Sequence, residues 1–155
     1  MDLFLASGGG FLAAVIWMDL MFDTLAVGPR AAGPDGAELP EDSLARIATY
    51  YRRVTTTASP MNYLVSAVMA GMVLVLVLQL TTGDAAAAPA ATSLALCGVP
   101  ITLALLRVFP NAIRLGTRTD SIGEQSRLAR AILFDHLLCF AAMLAFLVVR
   151  FSVSA

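Results

Sequence analysis

Four long apolar stretches, at about residues 3–27, 60–80, 91–109 and 129–149, constrain this chain more than any other feature. A helix needs about 20 mostly apolar residues to cross the hydrocarbon core of a bilayer. Lipid cannot satisfy an open sheet edge, so spans of this kind are helical. They are also too uniformly apolar for the alternation of a membrane β-barrel. Charged residues make up only 14% of the 155-residue chain, against roughly a quarter in soluble domains. The expected fold is all-α: one transmembrane domain over the whole chain, built as an integral membrane four-helix bundle.

Local signals mark the joints. Ser59-Pro60 reads as an N-cap with proline at the first helical position of the second span. "SIGE", Ser121 to Glu124, reads as a capping box opening the helix of the fourth span. Pro100 lies inside the third span and predicts a kink. Between the first two spans, "GPRAAGPDGAELPED" reads as a mobile loop. After it, Leu44, Ile47, Tyr51, Val54 and Ala58 recur at helical spacing, with Arg46, Arg53 and Thr57 on another side. This predicts an extra amphipathic helix at the membrane interface before the second span. Tyr50 and Tyr51 would anchor it at the interface.

Arginine sets the orientation. All ten basic residues are arginine. Nine fall in or beside the two long connections, residues 28–59 and 110–128; Arg150 alone lies on the opposite side. The positive-inside rule then places both connections in the cytoplasm and both termini outside, in a bacterial inner membrane or its equivalent. The N-terminus has an acid where a signal peptide wants basic residues, so the first stretch reads as a retained span. A net charge of −1 with no clustered basic face excludes a nucleic-acid partner.

Polar residues gather at one depth. Asp19 and Asp23 are four residues apart, hence on one helix face. At 1.5 Å per residue they sit about 13 and 7 Å from the inner end of the first span. The second span brings Asn62, Tyr63 and Ser66 to that depth, the third Arg107, Asn111 and Arg114, and the fourth Asp135 and His136. The outer halves carry almost nothing ionisable. An ionisable group inside a membrane is costly and marks a candidate site. The pattern predicts a polar pocket facing the cytoplasm below an apolar plug, with Arg107 or Arg114 as the counter-charge of the two acids. Its binding residues would be Asp19, Asp23, Asn62, Arg107, Asn111 and Arg114. His136 would be a general base oriented by Asp135, Asp19 or Asp23. The same cluster also fits ion pairs that only lock helices in register.

The inventory narrows the chemistry. Cys97 and Cys139 lie in apolar runs without a C-x-x-C spacing. A single histidine cannot hold a bis-histidine haem. Di-iron bundles want several glutamates and paired Glu-x-x-His motifs, absent from these spans. Asp19, Asp23, Asp135 and His136 are the one set a single ion would find. No cofactor or metal is expected. A transport path needs polar groups across the whole membrane, which the outer half lacks.

"FPNAIRLG" (Phe109 to Gly116) and "LARAILFDHLL" (Leu128 to Leu138), with the four-span layout, resemble the anthrone-oxygenase-like small membrane proteins. The resemblance implies cofactor-free oxidation of a polycyclic or phenolic substrate. Two functional readings stand: a membrane protein that binds or oxidises a lipophilic small molecule without a metal, or an accessory subunit. The second draws on the small-residue stretch "SGGGFLAA", which permits close helix packing within a homo-oligomer or larger membrane complex.

Overall fold

The computed structural model describes residues 1–27, 38–83 and 86–154. Among the described residues, six α-helices run in the order α1 (Asp2–Asp23), α2 (Glu41–Thr56), α3 (Met61–Thr82), α4 (Ala87–Leu103), α5 (Phe109–Thr117) and α6 (Ile122–Ser154). A 3₁₀ turn, Thr24–Ala26, ends α1, and a π turn, Ala104–Val108, joins α4 to α5. The described residues contain no strand. Helices α1, α3, the α4–α5 run and α6 are each long and apolar enough to cross a membrane.

The two prolines shape the third span. Pro100 stays inside α4, and Pro110 is the second residue of α5. In a regular helix the Pro110 ring would press on the Leu106 carbonyl. The wider π turn between the prolines avoids this, with the Phe109 N–H reaching back to the Ala104 carbonyl. A π turn of this kind also re-aims the side chains it carries, here Arg107. The region expected as a plain connection over 110–128 is therefore mostly helical: α5, then the first turns of α6.

Helix α6 is central. It packs along α1 on one side and α4 on the other, and α3 closes against α4 and meets α1. Short helices α2 and α5 pack on each other across one end of the bundle, here termed the connection end. The other, terminal end holds the start of α1 and the end of α6, joined by an ion pair between Asp2 and Arg150. Two apolar cores follow. One fills the connection end with Leu20, Leu44, Ile47, Leu115 and Ile132; the other fills the terminal end with Leu5, Met72, Leu76, Met143 and Phe146.

Three expectations change here. The apolar face of α2 (Leu44, Ile47, Tyr51) is covered by α5 and α6, not laid on lipid. Its approach to α5 is so close that a Cβ on Gly116 would sit 3.1 Å from the Arg52 backbone nitrogen. Helix α3 starts at Met61, with Pro60 in the cap position and no side-chain cap. The Ser121 cap is present, accepting from the Glu124 N–H at 3.3 Å, but the Glu124 side chain turns to Arg127 and Arg114 instead of closing the box. Most of the loop expected as mobile, residues 28–37, lies outside the described residues.

The glycines of α1 are used within the chain. A Cβ on Gly8 would meet Met72 Sδ of α3 at 2.8 Å, and one on Gly9 would meet Phe146 of α6 at 2.9 Å. Gly10 faces open space. Small residues let helices approach closely where lipid offers no hydrophobic drive between them. Replacing Gly9 by leucine should therefore lower stability by about 1–3 kcal/mol through overpacking, while Gly10→Leu should be nearly silent. Thermal unfolding of both variants in the same detergent checks the contrast.

Candidate functional site

Five side chains from three helices meet at the boundary between the two cores. Asp19 and Asp23 stand one turn apart on α1, Tyr50 and Tyr51 on α2, and His136 on α6. The Tyr51 hydroxyl donates to Asp23 Oδ1 at 2.5 Å, and Asp23 Oδ2 lies 2.6 Å from His136 Nδ1. The Tyr50 hydroxyl donates to Asp19 Oδ1 at 2.5 Å. His136 Nε2 is 3.8 Å from Asp19 Oδ2, outside direct hydrogen-bond range.

An ionised Asp23 only accepts, and in that state Nδ1 is the ring nitrogen that carries the proton between them. Nε2 is left facing Asp19. Burial, then the adjacent Asp23 carboxylate, holds the Tyr51 phenol above its ordinary range; burial and Asp19 do the same for Tyr50. Both phenols therefore remain donors. The aromatic rings add order: Phe22 stacks on Tyr50 at 4.0 Å between centroids, and Tyr50 meets Tyr51 edge-on at 5.3 Å.

The cluster ends a cavity of about 510 Å³. Its apolar wall includes Leu12, Val15 and Met18 of α1, Met61, Val65 and Met69 of α3, and Ile101 and Ala104 of the third span. Cys97, Cys139 and Met143 lie farther along it. Its polar wall is Asp19, Tyr50, Tyr51, His136, Asn62, Thr55 and Ser66. Asp23 is sealed behind this wall at 1% exposure. The cavity lies between α1 and α3 because these helices meet at the terminal end, through Gly8 on Met72 and Phe4 on Gly71. The exposed residues Met18, Met61 and Tyr63 line its rim. Apolar pockets of about 300–1,000 Å³ with a few convergent polar groups are the usual form of small-molecule sites.

The structure brings together only part of the expected set. Asp19, His136 and Asn62 line the cavity, and Asp23 stands directly behind it. Asn62 accepts from the Tyr63 N–H at 2.9 Å and stays apart from the acids. Asn111 is half-buried on α5 and outside the cavity wall. The arginine counter-charge is a correction. Arg107 pairs with Asp135 at 3.2 Å, and Arg114 pairs with Asp120 at 2.8 Å and Glu124 at 3.1 Å. Asp135 therefore does not orient His136: consecutive residues on a helix point about 100° apart, and Asp135 faces the π turn. Asp19 and Asp23 are instead met by phenols and imidazole.

Sequence reasoning also missed Tyr50 and Tyr51, whose signal was a tyrosine pair on the helix placed beside the paired acids. It missed a polar contact at the terminal end, where Gln79 Nε2 approaches Asp2 Oδ1 at 3.4 Å beside Arg150. Among the described residues, no three His, Cys, Asp or Glu side chains are arranged to hold a metal ion. No protein-family model, curated protein or solved structure matches the chain.

Chemically, the Asp23–His136 pair can accept a proton at Nε2 from a group in the cavity, with Asp23 balancing the imidazolium. The pair's dependence on Tyr51 is testable. Tyr51→Phe removes one of the donors to a sealed carboxylate and should cost about 1–3 kcal/mol. Tyr50→Phe should cost less, because Asp19 reaches the cavity. Comparative unfolding of the two variants in detergent measures the difference.

Proposed function

We propose that this is an integral membrane protein that holds a lipophilic small molecule in the cavity between α1 and α3, its polar end against Asp19 and His136. One observation carries the reading: a largely apolar cavity of about 510 Å³ ends in a hydrogen-bonded Asp–Tyr–His cluster. The arginine bias supports a cytoplasmic position for the connection end, and with it for the polar end of the cavity. The exposed apolar residues of the rim then face the inner leaflet, a route of entry for a molecule dissolved in lipid.

Ala104, at the start of the π turn, lines the cavity. Purified in mild detergent, the wild-type chain should carry a lipophilic species found by mass spectrometry of its organic extract. Ala104→Phe, which puts an aromatic ring into the cavity, should lose it. Identical extracts from both proteins would refute the reading. A C-terminal alkaline phosphatase fusion should be active, and a C-terminal fluorescent-protein fusion dark, if the termini face outward.

A second reading has one observation in its favour. Asp23 and Tyr51 are 1% and 2% exposed, as expected of a lock between α1, α2 and α6. On that reading Asp23→Asn lowers stability and leaves the bound species in place. On the binding reading Asp19→Asn removes the species with little loss of stability.

A further inference from the structure

We propose that the ligand is a lipophilic cation, an amine on an apolar body, with its charge paired to Asp19. This rests on the binding reading above and adds the chemical class of the ligand. Asp19 and Asp23 bring two carboxylates into the cluster, and His136 supplies at most one positive charge, already directed at Asp23. Tyr50 and Tyr51 supply hydrogen bonds and no charge. Among the described residues, no arginine lines the cavity: Arg107 and Arg114 are engaged by Asp135, Asp120 and Glu124. Within that set, the two carboxylates of the cluster share one imidazole, in surroundings where an unpaired charge is costly.

Geometry distinguishes the two. Asp23 is sealed and has both oxygens engaged. Asp19 borders the cavity, and its Oδ1 takes the Tyr50 proton. Among the described residues, its Oδ2 has only His136 Nε2, at 3.8 Å. A donor placed in the cavity can therefore reach Oδ2 without breaking any bond of the cluster. The wall around it is aromatic and apolar: Tyr50, Tyr63 and Phe109 border the same space. Aromatic faces attract cations, most strongly where water is excluded. An anion would meet the same carboxylate and be repelled.

The chain contains its own reporter, since Trp17 is its single tryptophan and lies two residues from Asp19. Three probes share one body and differ in the head: 1-pyrenemethylamine, 1-pyrenemethanol and 1-pyrenecarboxylate. Each is titrated into the protein in lipid nanodiscs at pH 7, and energy transfer from Trp17 to pyrene is read against empty nanodiscs. The amine should bind about tenfold or more tighter than the alcohol, the factor that one charge-assisted hydrogen bond supplies. The carboxylate should bind weakest. Asp19→Asn should bring the amine down to the alcohol, and Ala104→Phe should weaken all three.

Equal binding of amine and alcohol to the wild type, both lost in Ala104→Phe, would overturn the cation and leave the cavity reading standing. Failure of all three probes to bind would overturn both. An amine preference that survives in Asp19→Asn would also overturn the proposal, because another group would then be pairing the charge.

Discussion

The contact between Asp23 and His136 is the constraint on which the rest of this structure depends. It joins the first long helix to the last across more than a hundred residues of sequence, and Tyr51 adds α2 to the same carboxylate. A carboxylate buried to this degree is tolerable only with its acceptor sites filled. The imidazole must therefore present Nδ1 to it, and the phenol must arrive from α2. Once those two donors are in place, α1, α2 and α6 have little freedom left at the connection end. The orientation of Nε2 toward the cavity follows from the use made of Nδ1.

Placing α2 is thus a structural requirement. Three contacts hold it. The Leu39 N–H donates to Ser126 Oγ of α6 at 2.9 Å, Glu41 pairs with Arg118, and the Arg52 backbone rests against Gly116. A side chain larger than hydrogen at 116 would push α2 outward and draw the tyrosines off their acids. Helix α1 is pinned at both ends by different means. Close packing at Gly8 and Gly9 holds the terminal half, and hydrogen bonds hold the half that carries Asp19 and Asp23. The space between α1 and α3 is what remains when the helices converge at one end and α1 is tied toward α6 and α2 at the other.

Much of this was legible in the sequence, for identifiable reasons. Long apolar runs can satisfy their backbones in only one way, so the four long helices were readable. The i, i+4 spacing of Asp19 and Asp23 put them on one face, and position within the four spans gave all the polar groups one depth. Depth, however, is a coordinate along the bundle and says nothing of the angle around it. That is why Arg107 and Asn111 were grouped with the acids although one faces Asp135 and the other lies off the cavity. The π turn after Pro100 shifts the helical phase, and no periodicity argument on a regular helix recovers it. Tyr50 and Tyr51 were read as interfacial anchors because an amphipathic helix looks the same whether lipid or protein covers its apolar face. The glycine run was read as a docking face for the same reason, although α3 and α6 already occupy two of its three positions.

The opposition between a helix lock and a ligand site dissolves when it is asked of each acid separately. Asp19 and Asp23 are the same residue type, one turn apart on the same helix, and each accepts a tyrosine hydroxyl at 2.5 Å. They differ in their second oxygen. That of Asp23 is closed by His136 at 2.6 Å; that of Asp19 reaches the same ring only at 3.8 Å and borders the cavity. A lock gains nothing from leaving an acceptor short of its partner in an apolar surround. Two closed acids would make a stronger lock, and a single closed acid with alanine at 19 would make a simpler one. Asp19 is therefore the acid whose second oxygen the packing leaves without a close partner among the described residues, which is the observation behind the proposed binding role.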